Sequence, residues 1–128
     1  MVGREKEVST RLLRPTLPHI HLEQLMVWVE RWDPIWEIDG SIKIFDEGIA
    51  QFMLCDPESH MKYYAAVVLG KASVRCSLIN EEPDDLLDAQ ANRIHLIYSN
   101  QLTDKDLTQI EHLKQVLRKR GYRFDDEQ

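Results

Sequence analysis

All three tryptophans of this 128-residue chain, Trp28, Trp32 and Trp36, fall within nine residues, with Pro34 between the last two. Tryptophan carries a large apolar surface and one polar N–H, and it concentrates in cores and interfaces. Such a cluster beside a helix-stopping proline marks where the fold is pinned or where a partner docks. As core, it joins the helix before it to the strands after it. As an interface, Val27, Trp28, Trp32 and Trp36 form an aromatic anchor rimmed by Glu30, Asp33, Glu37 and Asp39. Core is the default, because so much tryptophan rarely stays exposed in a monomer.

The cluster sits on a helix read over His21 to Trp32. Leu22, Leu25, Met26, Val29 and Trp32 recur at helical spacing. Val27 and Trp28 widen that stripe beyond what one core contact needs. The helix is therefore expected to be central, or to present a second face covered by the Arg11–Pro18 segment or by a second subunit, most simply in a two-fold homodimer. After Pro34, residues 36–45 read as a β-hairpin around Asp39-Gly40, with Trp36, Ile38, Ile42 and Ile44 on one face. Residues 49–55 are apolar and fit either a third strand or a short helix.

Further signals punctuate the rest. Pro15 and Pro18 hold their segment extended. Asp56-Pro57-Glu58 is a helix start, and Met61, Tyr64, Ala65, Val68 and Leu69 form its stripe. Gly70 ends it, although a rival reading runs the helix on through Ala72, Cys76 and Ile79. Residues 73–78 and 93–99 read as strands, separated by the acidic loop Glu81–Asp85 and a short helical turn. Thr103-Asp104-Lys105-Asp106 opens a last helix with a capping-box pattern; its stripe is Leu107, Ile110, Leu113, Val116 and Leu117, and Gly121 closes it. Tyr122–Phe124 adds a short edge strand. Together these give one α+β domain over residues 1–128: a small, mainly antiparallel sheet with helices packed on one face. Residues 1–9 are charged and expected to be flexible, and residues 125–128 are an acidic tail.

The sequence excludes more chemistry than it suggests. The five glycines are scattered, with no phosphate-cradling loop. His19-x-His21 could clip a metal on one side of an extended segment, but His60, His95, His112, Cys55 and Cys76 show no ligand spacing with it. Cys55 and Cys76 sit in apolar stretches, where thiols are inert. No catalytic, cofactor-binding or metal residues are assigned, and no cofactor is expected. Two cysteines and no apolar leader or ~20-residue apolar span point to a cytoplasmic protein without a membrane segment.

Net charge is −6 and uneven: residues 21–60 hold nine acidic against two basic side chains. Lys114, Arg118, Lys119, Arg120 and Arg123, interleaved with Tyr122 and Phe124, could contact a nucleic-acid backbone, although the overall charge opposes it. The expected role is that of a non-enzymatic protein-interaction, adaptor or assembly protein, acting on a protein partner or on itself. The alternatives are a nucleic-acid-associated regulator using that basic helix end, and a small enzyme or ligand-binding domain without a recognisable motif.

Overall fold

The computed structural model describes residues 4–125; residues 1–3 and 126–128, which begin the charged N-terminal stretch and complete the acidic tail, lie outside it. In chain order the elements are β1 (Glu5–Ser9), β2 (Leu13–Arg14), β3 (His19–His21), α1 (Leu22–Glu30), β4 (Ile42–Asp46), β5 (Phe52–Leu54), α2 (Pro57–Val68), β6 (Ser73–Leu78), β7 (Arg93–Ile97), α3 (Asp104–Lys119) and β8 (Arg123–Phe124). Single turns of 3-10 helix cover Thr10–Leu12, Pro34–Glu37 and Asp88–Gln90.

The strands form two sheets, ordered β1-β6-β4-β5-β2 and β3-β7-β8. The first is mixed: β1/β6 and β4/β5 are antiparallel, whereas β4/β6 and β2/β5 are parallel. The second is parallel throughout. The expected mainly antiparallel sheet is therefore wrong. The reason lies in the helices: α2 carries the chain back to lay β6 parallel to β4, and α3 does the same between β7 and β8, as parallel pairing requires.

The Asp39-Gly40 hairpin is also absent. Pro34 does not simply stop α1; it starts a new turn. Asp33 caps that turn by accepting from the Ile35 N–H at 3.0 Å, and the Trp36 N–H donates to the Asp33 carbonyl at 2.9 Å. Asp39-Gly40 is still a tight turn, with the Asp39 carboxylate accepting from the Ser41 N–H at 2.9 Å and Gly40 at φ +69°. The real hairpin joins β4 to β5, turning where the Gly48 N–H donates to Asp46 at 2.7 Å.

The charged N-terminal stretch, expected to be flexible, contributes β1. Its charges are matched across the sheet: Arg75 donates to Glu5 at 2.9 Å and Ser73 to Glu7 at 2.6 Å, while Val8 is buried.

Helix α2 is the central one, not α1. It begins at the expected Asp56 cap, which accepts from the Ser59 N–H at 2.7 Å. It is buried almost all round, through Ser59, His60, Lys62, Tyr63, Tyr64, Ala65, Ala66 and Val67, and packs against α1, α3 and β4. Gly70, at φ +75°, ends it as the sequence reading has it, and the Lys71 N–H closes back onto the Ala66 carbonyl at 2.9 Å. Helix α1 buries Leu22, Leu25, Met26 and Val29, leaving Trp32 half-buried and Val27 45% exposed. Helix α3 has its Thr103/Asp106 capping box and buries Ile110, Leu113 and Leu117, but Leu107 is exposed. Among the described residues, no helix is long and apolar enough to cross a membrane.

At Gly40 a β-carbon would sit 2.8 Å from the Glu5 side chain and 3.0 Å from the Ser77 hydroxyl oxygen, on a backbone that side chains disfavour. Gly40→Ala is expected to destabilise by about 1 kcal/mol or more. Thermal unfolding measures it, and an unchanged Tm contradicts the packing of this turn against β1.

Candidate functional site

The site is built on the Pro15–Pro18 segment, which carries the chain from β2 in one sheet to β3 in the other. Having no helix or ladder of its own, the segment finds its hydrogen bonds elsewhere. The Thr16 hydroxyl donates to the Leu54 carbonyl at 2.9 Å. The N–H groups of Thr16 and Leu17 both donate to His60 Nε2, at 2.9 and 3.2 Å. A nitrogen that accepts twice carries no proton, so His60 Nδ1 is the donor, to the Asp56 carbonyl at 2.7 Å. Burial pushes the His60 pKa down to about 4, against the upward pull of the Asp56 carbonyl and carboxylate. His60 is thus a neutral, fully engaged ring.

The same segment positions two more pieces. The Leu87 N–H donates to the Thr16 carbonyl at 2.9 Å, and the His95 N–H to the Pro18 carbonyl at 2.7 Å. Between these parts lies a cavity of about 670 Å³. Leu17 and Pro18 form part of it, α1 adds Gln24 and Trp28, and α2 adds Pro57, Glu58, Met61 and Tyr64. The 86–90 turn closes it with Leu86, Ala89 and Gln90. The Tyr64 hydroxyl is buried and has no hydrogen-bond partner among the described residues. Leaving such a group unsatisfied costs about 1–3 kcal/mol.

Strand β3 contributes His19 and His21, which project to the same side and line the cavity. The His19 ring stacks on His95 at 5.2 Å. His95 is itself held from both sides: Nδ1 lies 2.5 Å from an Asp125 carboxylate oxygen, and Nε2 lies 3.0 Å from the Gln90 amide oxygen. The hydrogen bond from His95 holds the Asp125 carboxyl below its ordinary range. Among the described residues, no three His, Cys, Asp or Glu side chains converge as a metal-holding group.

The three tryptophans do come together. Trp28 and Trp36 lie 5.1 Å apart, and Trp32 meets Trp36 edge-on at 5.4 Å. Two of them, Trp28 and Trp36, flank Lys62. Its ammonium, on a side chain only 5% exposed, sits 5.9 Å from the Trp28 ring and 5.2 Å from the Trp36 ring. It also donates to the Ser41 hydroxyl at 2.8 Å and to Glu58 at 3.2 Å. The Trp32 indole N–H donates to Glu37 at 3.0 Å, and Lys71 pairs with the same carboxylate at 3.2 Å. Both hold Glu37 below the usual carboxylate pKa, the indole contributing more.

The basic residues at the C-terminal end of α3 and just beyond it do not form one free surface. Lys114 is buried, with its ammonium 5.6 Å from the Phe124 ring and 4.0 Å from Glu111. Arg118 also lies over Phe124, at 5.7 Å, and pairs with Glu111 at 3.5 Å. Arg120 donates to the Tyr63 hydroxyl at 2.8 Å and the Thr10 carbonyl at 3.2 Å. Arg123 donates to the Ala91 carbonyl at 3.1 Å, and Lys119 is exposed. Both cysteines are free; burial is the main cause that pushes the thiol of Cys55 up to about 11 and that of Cys76 up to about 12.

The sequence reading expected a short helical turn after the acidic loop, where Asp88–Gln90 lies, but gave it no role, and it did not single out Lys62 or the engaged state of His60. A lysine inside an otherwise apolar helical stripe was the one available sign. No family model matches this chain, and no curated protein or solved structure matches it.

His60 makes stability depend on pH. Its folded pKa of about 4 lies below the ordinary 6.5, so the folded state disfavours the protonated ring. The stability it contributes is complete above about pH 6.5 and is lost as pH falls towards 4, about 3 kcal/mol in all. Denaturant unfolding at stepped pH is expected to show this decline, and His60→Gln to flatten it while lowering stability at neutral pH. An equal decline in His60→Gln contradicts the assignment.

Proposed function

We propose that this chain is a non-enzymatic binding protein that holds a small, mostly apolar molecule in the cavity between α1, α2 and the 86–90 turn. The observation that carries this reading is the cavity itself. Its volume of about 670 Å³ falls in the range of small-molecule sites. Leu17, Trp28, Met61 and Leu86 supply apolar walls, and a few polar groups gather where β3 meets Gln90. The role of His60 favours binding over proton transfer, since both ring nitrogens are already used by the backbone. The two free, unreactive thiols fit a reducing compartment such as the cytoplasm.

An uncharged fluorophore of suitable size, N-phenyl-1-naphthylamine, tests the reading. It is expected to gain emission on binding the wild-type protein. Ala89, exposed on the cavity rim, can be enlarged without touching the core. Ala89→Phe is expected to weaken binding about tenfold or more, with Tm unchanged. No emission gain with the wild-type protein overturns the reading.

A second reading, contact with a protein partner or a second copy of the chain, is favoured by the exposure of Val27, Ile35 and Ile38 around the tryptophans. Light scattering decides it. A wild-type dimer that becomes a folded monomer on Val27→Asp supports this reading, and a wild-type monomer at high concentration removes the homodimer.

A further inference from the structure

The polar groups of the cavity lining differ in whether they fix the polarity of a ligand. His60 has both nitrogens engaged by the backbone and offers only ring carbon. The Tyr64 hydroxyl is buried, and burial keeps it protonated, so it can donate or accept. An imidazole presents a donor or an acceptor through its tautomers, and a carboxamide presents either end by rotation. His19, His21, Gln24 and Gln90 therefore suit a ligand of either polarity, whichever end of its amide Gln90 turns to His95.

Glu58 differs from all of these. It is the one carboxylate in the lining, which among the described residues holds no lysine or arginine. An ionised carboxylate only accepts. Lys62 occupies its Oε2 at 3.2 Å, but Oε1 accepts from no described residue. The two partners are also differently placed: the Glu58 side chain is 61% exposed, whereas that of Lys62 is 5% exposed, outside the lining and shared with Ser41. A ligand in the cavity therefore meets the carboxylate before the ammonium. The N-terminal dipole of α2, about +0.5 charge, is answered by the Asp56 cap. The wider surroundings have the same sign as Glu58, with nine acidic against two basic side chains over residues 21–60.

We propose that the cavity takes a small amphiphilic organic amine, its apolar body against Leu17, Met61 and Leu86 and its ammonium at Glu58 Oε1. This rests on the ligand-binding reading above and narrows it to a charge class. A hydrogen bond from a charged donor to a carboxylate is about twice as strong as one between neutral groups. Because Glu58 is partly solvated, water and salt screen the pair, so the gain over an uncharged ligand is a few-fold rather than orders of magnitude.

Three ligands with the same ring system decide it: 1-naphthylmethylamine, the uncharged 1-naphthalenemethanol and 1-naphthoate. Each is used to displace N-phenyl-1-naphthylamine from the wild-type protein at about pH 8, above the ordinary imidazole range. The amine is expected to displace at about fivefold lower concentration than the alcohol, with the naphthoate weakest, and its advantage is expected to shrink as salt is added. Glu58→Gln, at an exposed position and checked for folding by circular dichroism, is expected to bring amine and alcohol level. Equal displacement by amine and alcohol in the wild-type protein, or a preference for the naphthoate, overturns the amine assignment while leaving the cavity reading intact. An amine preference unchanged in Glu58→Gln overturns the assignment to Glu58. If Glu58→Gln does not fold, the wild-type order and its salt dependence still decide the charge class. If the fluorophore does not bind at all, the cavity reading fails, and this inference fails with it.

Discussion

A neutral imidazole fixes the segment that links the two sheets of this fold. His60, buried in the first turns of α2, accepts from two consecutive backbone N–H groups of the Pro15–Pro18 segment and donates to the backbone of its own helix. That segment is the link from the mixed sheet to the parallel one. Two prolines deprive it of N–H groups and of any regular ladder, so its remaining polar groups need outside partners. Once His60 and the Leu54 carbonyl satisfy Thr16 and Leu17, the Thr16 carbonyl is aimed at Leu87 and the Pro18 carbonyl at His95. The turn that closes the cavity and the strand that pairs with β3 are placed by those two bonds.

Lys62 plays a comparable part for the tryptophans. Burying an ammonium is costly unless it is paired and hydrogen-bonded. Here Ser41 and Glu58 accept from it, while the faces of Trp28 and Trp36 offer their negative quadrupoles. Trp28 and Trp36 face this charge, while Trp32 packs edge-on against Trp36, and both Trp28 and Trp32 also pack against the core, so none of the three is fully buried. Trp28 belongs to both arrangements, since it also lines the cavity.

Much of the secondary structure was legible because its signals are local. The Asp56-Pro57 start, the Gly70 stop, the Thr103/Asp106 box and the alternation in β6 each depend on a few adjacent residues, and each appears where the sequence places it. Strand direction was not legible, because pairing depends on where a helix delivers the next strand, not on period-two alternation. The two-residue strands β2 and β8 are too short to carry a pattern of their own, although β8 falls within the expected Tyr122–Phe124 edge. Strand β1 looked frayed because Glu5 and Glu7 find Arg75 and Ser73 only across the sheet. The Asp39-Gly40 signal correctly marked a tight turn, yet Pro34 and the Asp33 cap had already committed the residues before it to a helical turn. The cavity was invisible for a related reason. Met61 and Tyr64 read as core stripe, and only the tertiary path of residues 86–90 leaves open space in front of them.

The pairing pattern also sets an order in time. Glu5 is opposite Ser77 and His19 is opposite His95, so each sheet holds strands from distant parts of the chain. Closing such long loops before any contact rewards them slows folding. During synthesis, β1 and β3 leave the ribosome long before their partners exist. Until β7 emerges, the second sheet has no second strand, and the N-terminal segments wait with unpaired edges.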